Sequence, residues 1–328
     1  MTLFVQGMRR SGTTILYDAL LADPALHCFY EPFREDDVTV GGGSGARPDD
    51  AFAETRALRE AFRLERYPDL EPEEFNWGGP REPSLEVGPA LPEHCTEFVR
   101  SLLASPGDVA VKFTRAYDKL GALARVDADA ALVHVIRDPR AVVASIMFGR
   151  GQRRAGKFPT SNDFFGARSK RRLWSCRGIS QQLVKRPEYA HMSRLTDVER
   201  ILLVWRHTFE STWRDGTRLF GDRYLRLDNE ELRADPDRAL RAVYATLERE
   251  PPEQVLSWAA EAVLPGSDPY EAENEAWLEA FARVRLRPAL SAAGYGELAE
   301  RVPEPGLATK VGGMARRTRR RLARFAGR

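Results

Sequence analysis

The chain has 328 residues, 43% of them hydrophobic and 30% charged, and its net charge is +2. This composition is that of an ordinary globular protein. A chain of this length buries a substantial core and needs no disulfide or metal staple. Its three cysteines form no closely spaced pair, which argues against a disulfide framework or a structural zinc site and predicts a reducing compartment, the cytoplasm. No apolar run approaches the ~20 residues of a membrane span, which argues against a membrane-spanning protein.

The start of the chain predicts a strand, a turn and a helix, followed by a second strand. Residues 3–5 are a short apolar run without polar alternation, as in a strand buried on both faces of a parallel sheet. Glycines bound a turn at 7–12, and apolar residues at helical spacing follow at 15–20. A second strand is predicted at 26–30. The glycine-rich run at 41–45 predicts a mobile loop that acts as a lid beside the active site.

Strands and helices continue to alternate through the rest of the chain. The apolar runs at 109–113 and 131–136 predict two more buried strands, and the second is followed by Asp138-Pro139, which is typical of a helix start. The remaining predicted elements are a helix at 198–213, a strand at 224–227, a helix at 235–247 and a helix at 276–293. This alternation predicts a three-layer α/β domain with a mostly parallel central sheet.

Residues 7–14 read Gly-Met-Arg-Arg-Ser-Gly-Thr-Thr and join the first predicted strand to the first helix. The amides of such a turn and of the helix N-terminus point at one place and favour an anion, so we predict a P-loop-like phosphate cradle. The glycine spacing matches the Walker A motif, but Thr13 stands where that motif has its lysine, which argues against an ordinary nucleoside triphosphatase. The positive charge of this turn lies instead on Arg9 and Arg10. A guanidinium at these positions can donate hydrogen bonds to an oxygen beside the transferred group.

The same eight residues resemble the 5′-phosphosulfate-binding loop of the sulfotransferase family, commonly written GxPRSGTT. Arg9 replaces the proline of that pattern, and the run from Arg10 to Thr14 is intact. The resemblance implies that the chain uses 3′-phosphoadenosine 5′-phosphosulfate (PAPS) as co-substrate and releases 3′-phosphoadenosine 5′-phosphate (PAP). It also implies a set of donor-binding residues in this loop: Arg9, Arg10, Ser11, Gly12, Thr13 and Thr14. Within that set, Arg10 is expected to stabilise the charge that develops during transfer.

A second motif lies where the predicted strand at 131–136 ends. Arg137 follows that strand directly, and ligands of open α/β sheets bind at the carboxyl ends of the strands. Ser145 lies about two helical turns further, roughly 12 Å along the helix axis. The two side chains can therefore meet only if Arg137 folds back over the helix. The motif resembles the 3′-phosphate-binding element of sulfotransferases, and this resemblance implies that Arg137 and Ser145 contact one phosphate.

Transfer to a hydroxyl needs a base near the nucleophile, and a carboxylate is a suitable proton acceptor. Glu31 follows the strand at 26–30, and Pro32 after it predicts an extended backbone that keeps the carboxylate out of a helix. In related carbohydrate and tyrosylprotein sulfotransferases the base is a glutamate just beyond the corresponding strand, which implies this role for Glu31. His94, at a predicted helix start, is the rival base, whereas His134 falls within a buried strand pattern and is expected to be a core residue.

Two stretches of the chain are strongly basic. Residues 150–190 carry eleven Lys or Arg and two acidic residues, and residues 310–328 carry eight Lys or Arg and no acidic residue. The first stretch belongs to an insertion at 149–194 that directly follows the helix of Ser145. We therefore predict that it lines the acceptor site and favours a negatively charged substrate, although such runs are usually solvated surface. The residues assigned to acceptor contact are His94, Arg168, Lys170, Arg171 and Arg172.

These observations predict a sulfotransferase domain at 1–302 and a basic C-terminal tail at 303–328. The tail is expected to be solvated or docked on the core, with contact to an anionic membrane surface as the alternative. The predicted reaction moves a sulfuryl group from PAPS to a hydroxyl of a carbohydrate or secondary metabolite, with no metal and no nucleic-acid partner. Three alternatives stay open: a nucleotide-dependent P-loop-like kinase, a catalytically inactive nucleotide-binding protein, and a tyrosyl-peptide sulfotransferase of the same family.

Overall fold

The computed structural model describes residues 1–33, 50–75, 83–149, 157–170, 173, 175–266 and 269–304. Within these ranges the strands are β1 Thr2–Gly7, β2 Leu26–Tyr30, β3 Asp108–Phe113, β4 Ala131–Ile136 and β5 Tyr224–Asp228. They form one sheet in the order β2-β3-β1-β4-β5, and every neighbouring pair is parallel. The predicted α/β class with a parallel central sheet is confirmed.

The strand β1 lies in the middle of the sheet, and its burial agrees with this position. Every residue of β1 and β4 is buried, as expected for strands that are covered by helices on both faces. Phe4 of β1 is level with Val111 of β3 on one side and with Leu132 of β4 on the other. The carboxyl ends of these three strands therefore meet at one edge of the sheet, where the turn at 7–12 begins.

Helices connect the strands and cover both faces of the sheet. In the described part of the chain they are α1 Thr13–Leu21, α2 Asp50–Arg66, α3 Pro83–Glu86, α4 Glu93–Leu103, α5 Leu120–Val126, α6 Pro139–Phe148, α7 Ser161–Phe165, α8 Cys176–Leu183, α9 Asp197–Phe220, α10 Asn229–Ala234, α11 Pro236–Ala245, α12 Glu253–Ala262, α13 Ala276–Arg283, α14 Arg287–Ala292 and α15 Gly296–Arg301.

Alternate residues of the central strand face the two helix layers. Leu3 and Val5 of β1 pack in one cluster with Leu16 of α1 and Leu240 of α11. Phe4 points the other way and packs in a second cluster, with residues of α4 and α5. The period of two along a strand separates these clusters, and the result is the predicted three-layer arrangement.

The structure corrects two of the predicted elements. The predicted helix at 276–293 is two helices, α13 and α14, because Arg285 between them has a left-handed backbone (φ 51°) and Pro288 lies in the first turn of the second helix. The insertion at 149–194, for which no helix was predicted, contains α7 and α8. A capping box begins α7. This local helix signal was overlooked because the stretch was interpreted by its charge.

Several predicted features lie outside the described residues: the glycine-rich run at 41–45, Arg171, Arg172 and the tail from residue 305. The lid and tail hypotheses therefore stay predictions. No helix of the described ranges is long and apolar enough to cross a membrane.

Candidate active site

Two glycines shape the turn that follows β1. A Cβ atom on Gly7 would lie 2.5 Å from the carbonyl oxygen of Val135 in the neighbouring strand. Gly12 has φ 103° and lies against Asn229, so that a Cβ atom there would be 1.9 Å from Asn229 Nδ2. A larger residue at either position would displace the turn. The glycines thus place the N-terminus of α1 at the carboxyl edge of the sheet.

The turn and the start of α1 present hydrogen-bond donors to this edge. The first turn of α1, which begins at Thr13 and Thr14, holds no acidic residue, and the peptide dipoles of the helix give its N-terminus a partial positive charge. The Ser11 hydroxyl and Asn229 Nδ2 are buried and have no hydrogen-bond partner among the described residues. The orientation of the Asn229 amide is set because its Oδ1 accepts a hydrogen bond from Arg233 Nε at 3.1 Å. Such a group of donors suits an anion.

Arg10 brings together the two predicted donor-binding elements. Its Nε donates a hydrogen bond to Ser145 Oγ at 2.7 Å, and its carbonyl oxygen accepts one from Arg137 Nη1 at 3.2 Å. Arg137 therefore folds back over the start of α6 instead of pointing along the helix. Trp205 supports this turn by donating from Nε1 to the Arg137 carbonyl oxygen at 3.0 Å. Arg10, Arg137 and Ser145 form one connected group.

A second cation stands beside Arg137. Burial lowers the pKa of the Arg137 guanidinium, the carboxylate of Glu230 opposes this shift, and the charge of Arg233 adds to it. Burial lowers the pKa of the Arg233 guanidinium as well. The Glu230 carboxylate is engaged by the backbone, because its Oε1 accepts a hydrogen bond from the Asp138 amide at 3.0 Å. The Glu230 carboxylate opposes the lowering of the pKa of both guanidiniums, so it is an anion that Arg137 and Arg233 share. Arg233 was not predicted from the sequence.

Arg9, predicted to bind the donor with its neighbour, points the other way. Its Nη2 lies 2.6 Å from both carboxylate oxygens of Glu86, and both side chains are buried. Burial by itself would lower the pKa of the Arg9 guanidinium, but the Glu86 carboxylate more than compensates and raises it. The guanidinium of Arg9 is thus engaged in an ion pair, and of the two loop arginines Arg10 alone contacts Ser145.

The Glu31 carboxylate lies at the carboxyl end of β2 among donors from β3. Lys112 Nζ lies 2.5 Å from Glu31 Oε1, and Thr114 Oγ1 donates to the same oxygen at 2.8 Å. Burial alone would raise the pKa of Glu31, but the charges of Lys112 and Arg115 hold it down at about 2. Glu31 is therefore fully ionised at neutral pH.

The backbone at Glu31 differs from the prediction. Its φ is 47°, so the extended conformation expected from Pro32 is wrong. The Glu31 amide donates to the Lys112 carbonyl oxygen at 2.9 Å, which continues the β2–β3 ladder by one step before the chain turns. This long-range hydrogen bond outweighs the local preference of a residue that precedes proline.

Lys112 is a functional candidate that was not predicted. Its side chain is 2% exposed, and its ammonium lies 4.1 Å from the ring centroid of Tyr30. The sequence carries a signal for it, because a lysine inside the apolar run of β3 is buried and a buried ammonium needs an anionic partner. The sequence does not indicate that Glu31 is that partner.

The two histidines considered above have other partners. The ring of His94 packs on Phe75, with centroids 4.7 Å apart, and its Nε2 lies 3.0 Å from the carbonyl oxygen of Glu74. His134 is buried in β4 with its Nδ1 2.9 Å from Tyr224 Oη, and burial lowers its pKa to about 3. His134 is therefore a core residue, as expected. None of these contacts joins His94 to Glu31 or to the turn after β1.

A cavity of about 420 Å³ lies between the end of α6 and the insertion. Its charged lining residues are Lys157 and Asp197, and the Asp197 carboxylate accepts a hydrogen bond from the Ser169 amide at 2.8 Å. Arg168 and Lys170 are exposed. Most of the lining is apolar: Ile146, Met147, Phe148, Phe158, Ala167 and Leu173. The lining begins at Ile146, one residue after Ser145 on α6, and includes none of Arg10, Arg137 and Ser145.

Comparison with protein-family models identifies the family of this chain. A sequence model described as the sulfotransferase family matches residues 2–175, just over half of the chain. No curated protein matches the sequence. A crystal structure of a sulfotransferase from Mycobacterium avium is similar at 16% identity and a TM-score of 0.48, over 89% of this chain and 76% of that one. The sulfotransferase domain from the curacin biosynthetic pathway is similar at 15% identity and a TM-score of 0.43, over 81% of this chain and 80% of that one.

Proposed function

The chain belongs to the sulfotransferase family, and from this premise we propose that it transfers a sulfuryl group from PAPS to a hydroxyl of its acceptor. The observation that carries the proposal is the group formed by Arg10, Arg137 and Ser145 at the N-terminus of α1. It joins a cradle for one phosphate to a cationic site for a second one, as a donor phosphorylated at both the 5′ and 3′ positions requires.

The donor is held by residues of both elements. The amides from Gly12 to Thr14 bind the 5′-phosphate, because they lie at the positive end of α1, whereas the Ser11 amide donates to the Met8 carbonyl oxygen at 3.0 Å and leaves its hydroxyl for the phosphate. Arg137 and Ser145 bind the 3′-phosphate, with Arg233 as a further cation near it. Arg9 takes no direct part, because its guanidinium is engaged by Glu86.

In the reaction, the acceptor oxygen attacks sulfur in line and the bond from sulfur to the bridging oxygen of PAPS breaks. Glu31 accepts the proton of the acceptor hydroxyl, and Arg10 stabilises the negative charge that grows on the bridging oxygen as PAP departs. With a pKa of about 2, Glu31 is a weak base while Lys112 holds it. A bound acceptor that displaces Lys112 from the carboxylate raises the pKa of Glu31 and makes it a better base.

The Arg137→Ala variant tests the donor. We expect PAP to bind about 10²- to 10³-fold more weakly, the scale on which a buried, charge-assisted contact of 2–5 kcal/mol is lost. Isothermal titration with PAP measures the effect, and Arg241→Ala, which removes an exposed ion pair with Asp237 on α11, is the control. Unchanged PAP affinity in the Arg137 variant would contradict the assignment of the 3′-phosphate site.

The kinase alternative is separated by the choice of nucleotide. A sulfotransferase is expected to be stabilised against heat by PAP far more than by ATP at equal concentration, because only the former has a 3′-phosphate for Arg137. The opposite order would favour a kinase, although Thr13 stands at the position of the Walker lysine. Sulfotransfer to a tyrosyl peptide, tested with the same donor, is the alternative within the family.

The cavity between the end of α6 and the insertion is a candidate acceptor site. Its volume of about 420 Å³ is that of a small-molecule site, and six of its lining residues are apolar. We therefore favour a hydroxyl on an apolar secondary metabolite over a carbohydrate, with the basic segment serving any anionic group of the acceptor.

The Phe158→Ser variant tests this acceptor. We expect its KM for 2-naphthol to rise about 10- to 100-fold, since burying an aromatic or aliphatic side chain is worth ~1.5–3 kcal/mol, while PAP affinity is unchanged. Leu264→Ser is the control, because Leu264 is 68% exposed and does not line the cavity. If both the wild type and the variant sulfated a neutral disaccharide with a lower KM than 2-naphthol, the result would contradict the apolar acceptor and favour a carbohydrate.

A further inference from the structure

The backbone of Arg10 has an unfavourable conformation. Its φ of 74° lies in the left-handed region, which L-residues other than glycine rarely occupy. Such a conformation persists at functional sites only where the surroundings hold it. On one side Arg10 is held by Arg137 at its carbonyl oxygen and by Ser145 at its side chain. The residue before it must be held as well if the peptide between the two is to keep its orientation.

Arg9 supplies that second anchor. Its Nη2 contacts both carboxylate oxygens of Glu86 at 2.6 Å, which holds the guanidinium through this one nitrogen, and Glu86 is fully buried. Tyr117 Oη donates a hydrogen bond to Glu86 Oε1 at 3.1 Å and so fixes the carboxylate in turn. Because both charges are buried, separating them would leave an uncompensated charge in the core, and this cost holds the Arg9 side chain in place.

The segment that carries Glu86 is itself fastened to the core. Lys119 is fully buried, and its Nζ donates to the carbonyl oxygens of Leu85 at 2.7 Å and Gly88 at 2.8 Å. A longer hydrogen bond, of 3.3 Å, reaches the carbonyl oxygen of Glu86. The anchor of Arg9 is therefore a fixed point of the protein and not a surface loop.

We propose that Arg9 and Glu86 are a positioning pair that holds the backbone of Arg10, and so aims the Arg10 guanidinium at the reacting group. In the related loops a proline stands at this position and restricts the backbone locally through its ring. Here a side-chain ion pair with a residue 77 positions away takes over that task. The inference rests on the proposed role of Arg10 in sulfuryl transfer.

The test separates the positioning of the Arg10 guanidinium from the stability of the fold and from the affinity for the donor. In Arg9→Gln, measured well below its melting temperature, we expect kcat with PAPS to fall about 10- to 100-fold, as for other misplaced catalytic groups, while the Kd for PAP changes less than about 3-fold. The double variant Arg9→Pro with Glu86→Gln, which restores the proline and leaves no unpaired buried carboxylate, is expected to recover most of the lost kcat. Arg241→Gln, on an exposed ion pair, is the matched control.

Two outcomes would overturn the proposal. An Arg9→Gln variant with a lowered melting temperature but unchanged kcat would make the pair structural only, and an equal loss in kcat and in PAP affinity would place it in donor binding. Tyr117→Phe, which removes one hydrogen bond to Glu86, provides a milder variant should Arg9→Gln fail to fold, and we expect a 2- to 5-fold loss of kcat, about that of one loosened contact.

A crystal structure of Arg9→Gln distinguishes failure of this inference from failure of the proposed function. We expect Arg10 to leave its left-handed conformation and to lose the contact with Ser145. Retention of both would overturn the positioning role whatever the reaction. A wild-type protein that binds PAP but transfers no sulfuryl group would instead contradict the proposed function, while the displaced Arg10 would still support the positioning role.

Discussion

Arg10→Ala is expected to lower kcat about 10²- to 10³-fold, the usual effect of removing one preorganised donor from a developing negative charge. The loss falls on kcat because the contact with the bridging oxygen strengthens as PAP departs. The Arg10 carbonyl oxygen stays in place for Arg137 Nη1, so the Kd for PAP should change little. Steady-state kinetics with labelled PAPS, together with titration of PAP, separates the two quantities.

Arg10→Lys is the informative companion to that variant. It keeps the charge but not the planar guanidinium that reaches Ser145, and we expect partial recovery of kcat. A loss of PAP affinity as large as the loss of kcat in Arg10→Ala would contradict the proposal. It would indicate that Arg10 binds the donor equally in the ground state and in the transition state.

Glu31→Gln is expected to lower turnover by about 10²-fold or more, the scale of general-base catalysis, while PAP binds normally. The amide keeps the size of the carboxylate and can still accept a hydrogen bond from Lys112, so the variant removes the proton acceptor with little change of shape. His94→Ala is the matched variant for the rival base and should be near wild type. Near-wild-type turnover in the Glu31 variant, together with a loss of turnover in the His94 variant, would indicate that His94 is the base.

The low pKa of Glu31 predicts how stability depends on pH. Its folded value of about 2 lies below the ~4.3 of an unfolded glutamate, so the ionised pair with Lys112 stabilises the fold above that unfolded value. This contribution is lost as the pH falls through the interval towards 2. Chemical denaturation of wild type and Glu31→Gln across this interval should show a decline in the free energy of unfolding that is smaller in the variant.

Local signals made the turn after β1 and the start of α6 predictable. The glycines at 7 and 12 are required by a close approach and by a positive φ, so their spacing in the sequence reports the shape of the turn. The central strands β1, β3 and β4 are buried almost throughout, so their apolar runs predicted them. Asp138 and Pro139 predicted the start of α6, where the Asp138 side chain accepts a hydrogen bond from the Arg140 amide. Each of these signals is contained within a few residues of the chain.

What the sequence determined by itself is therefore the α/β class, the strand–turn–helix cradle and the candidate site residues Arg10, Glu31, Arg137 and Ser145. Which of these residues touch was decided only by the tertiary structure. The contacts of Arg9 with Glu86, of Lys112 with Glu31 and of Arg137 with Arg10 join residues 77, 81 and 127 positions apart. No local preference encodes such pairs, because a guanidinium or an ammonium can reach several carboxylates and carbonyl oxygens until packing fixes the distances. The order of the strands brings these groups to one edge of the sheet, and burial makes each pairing obligatory.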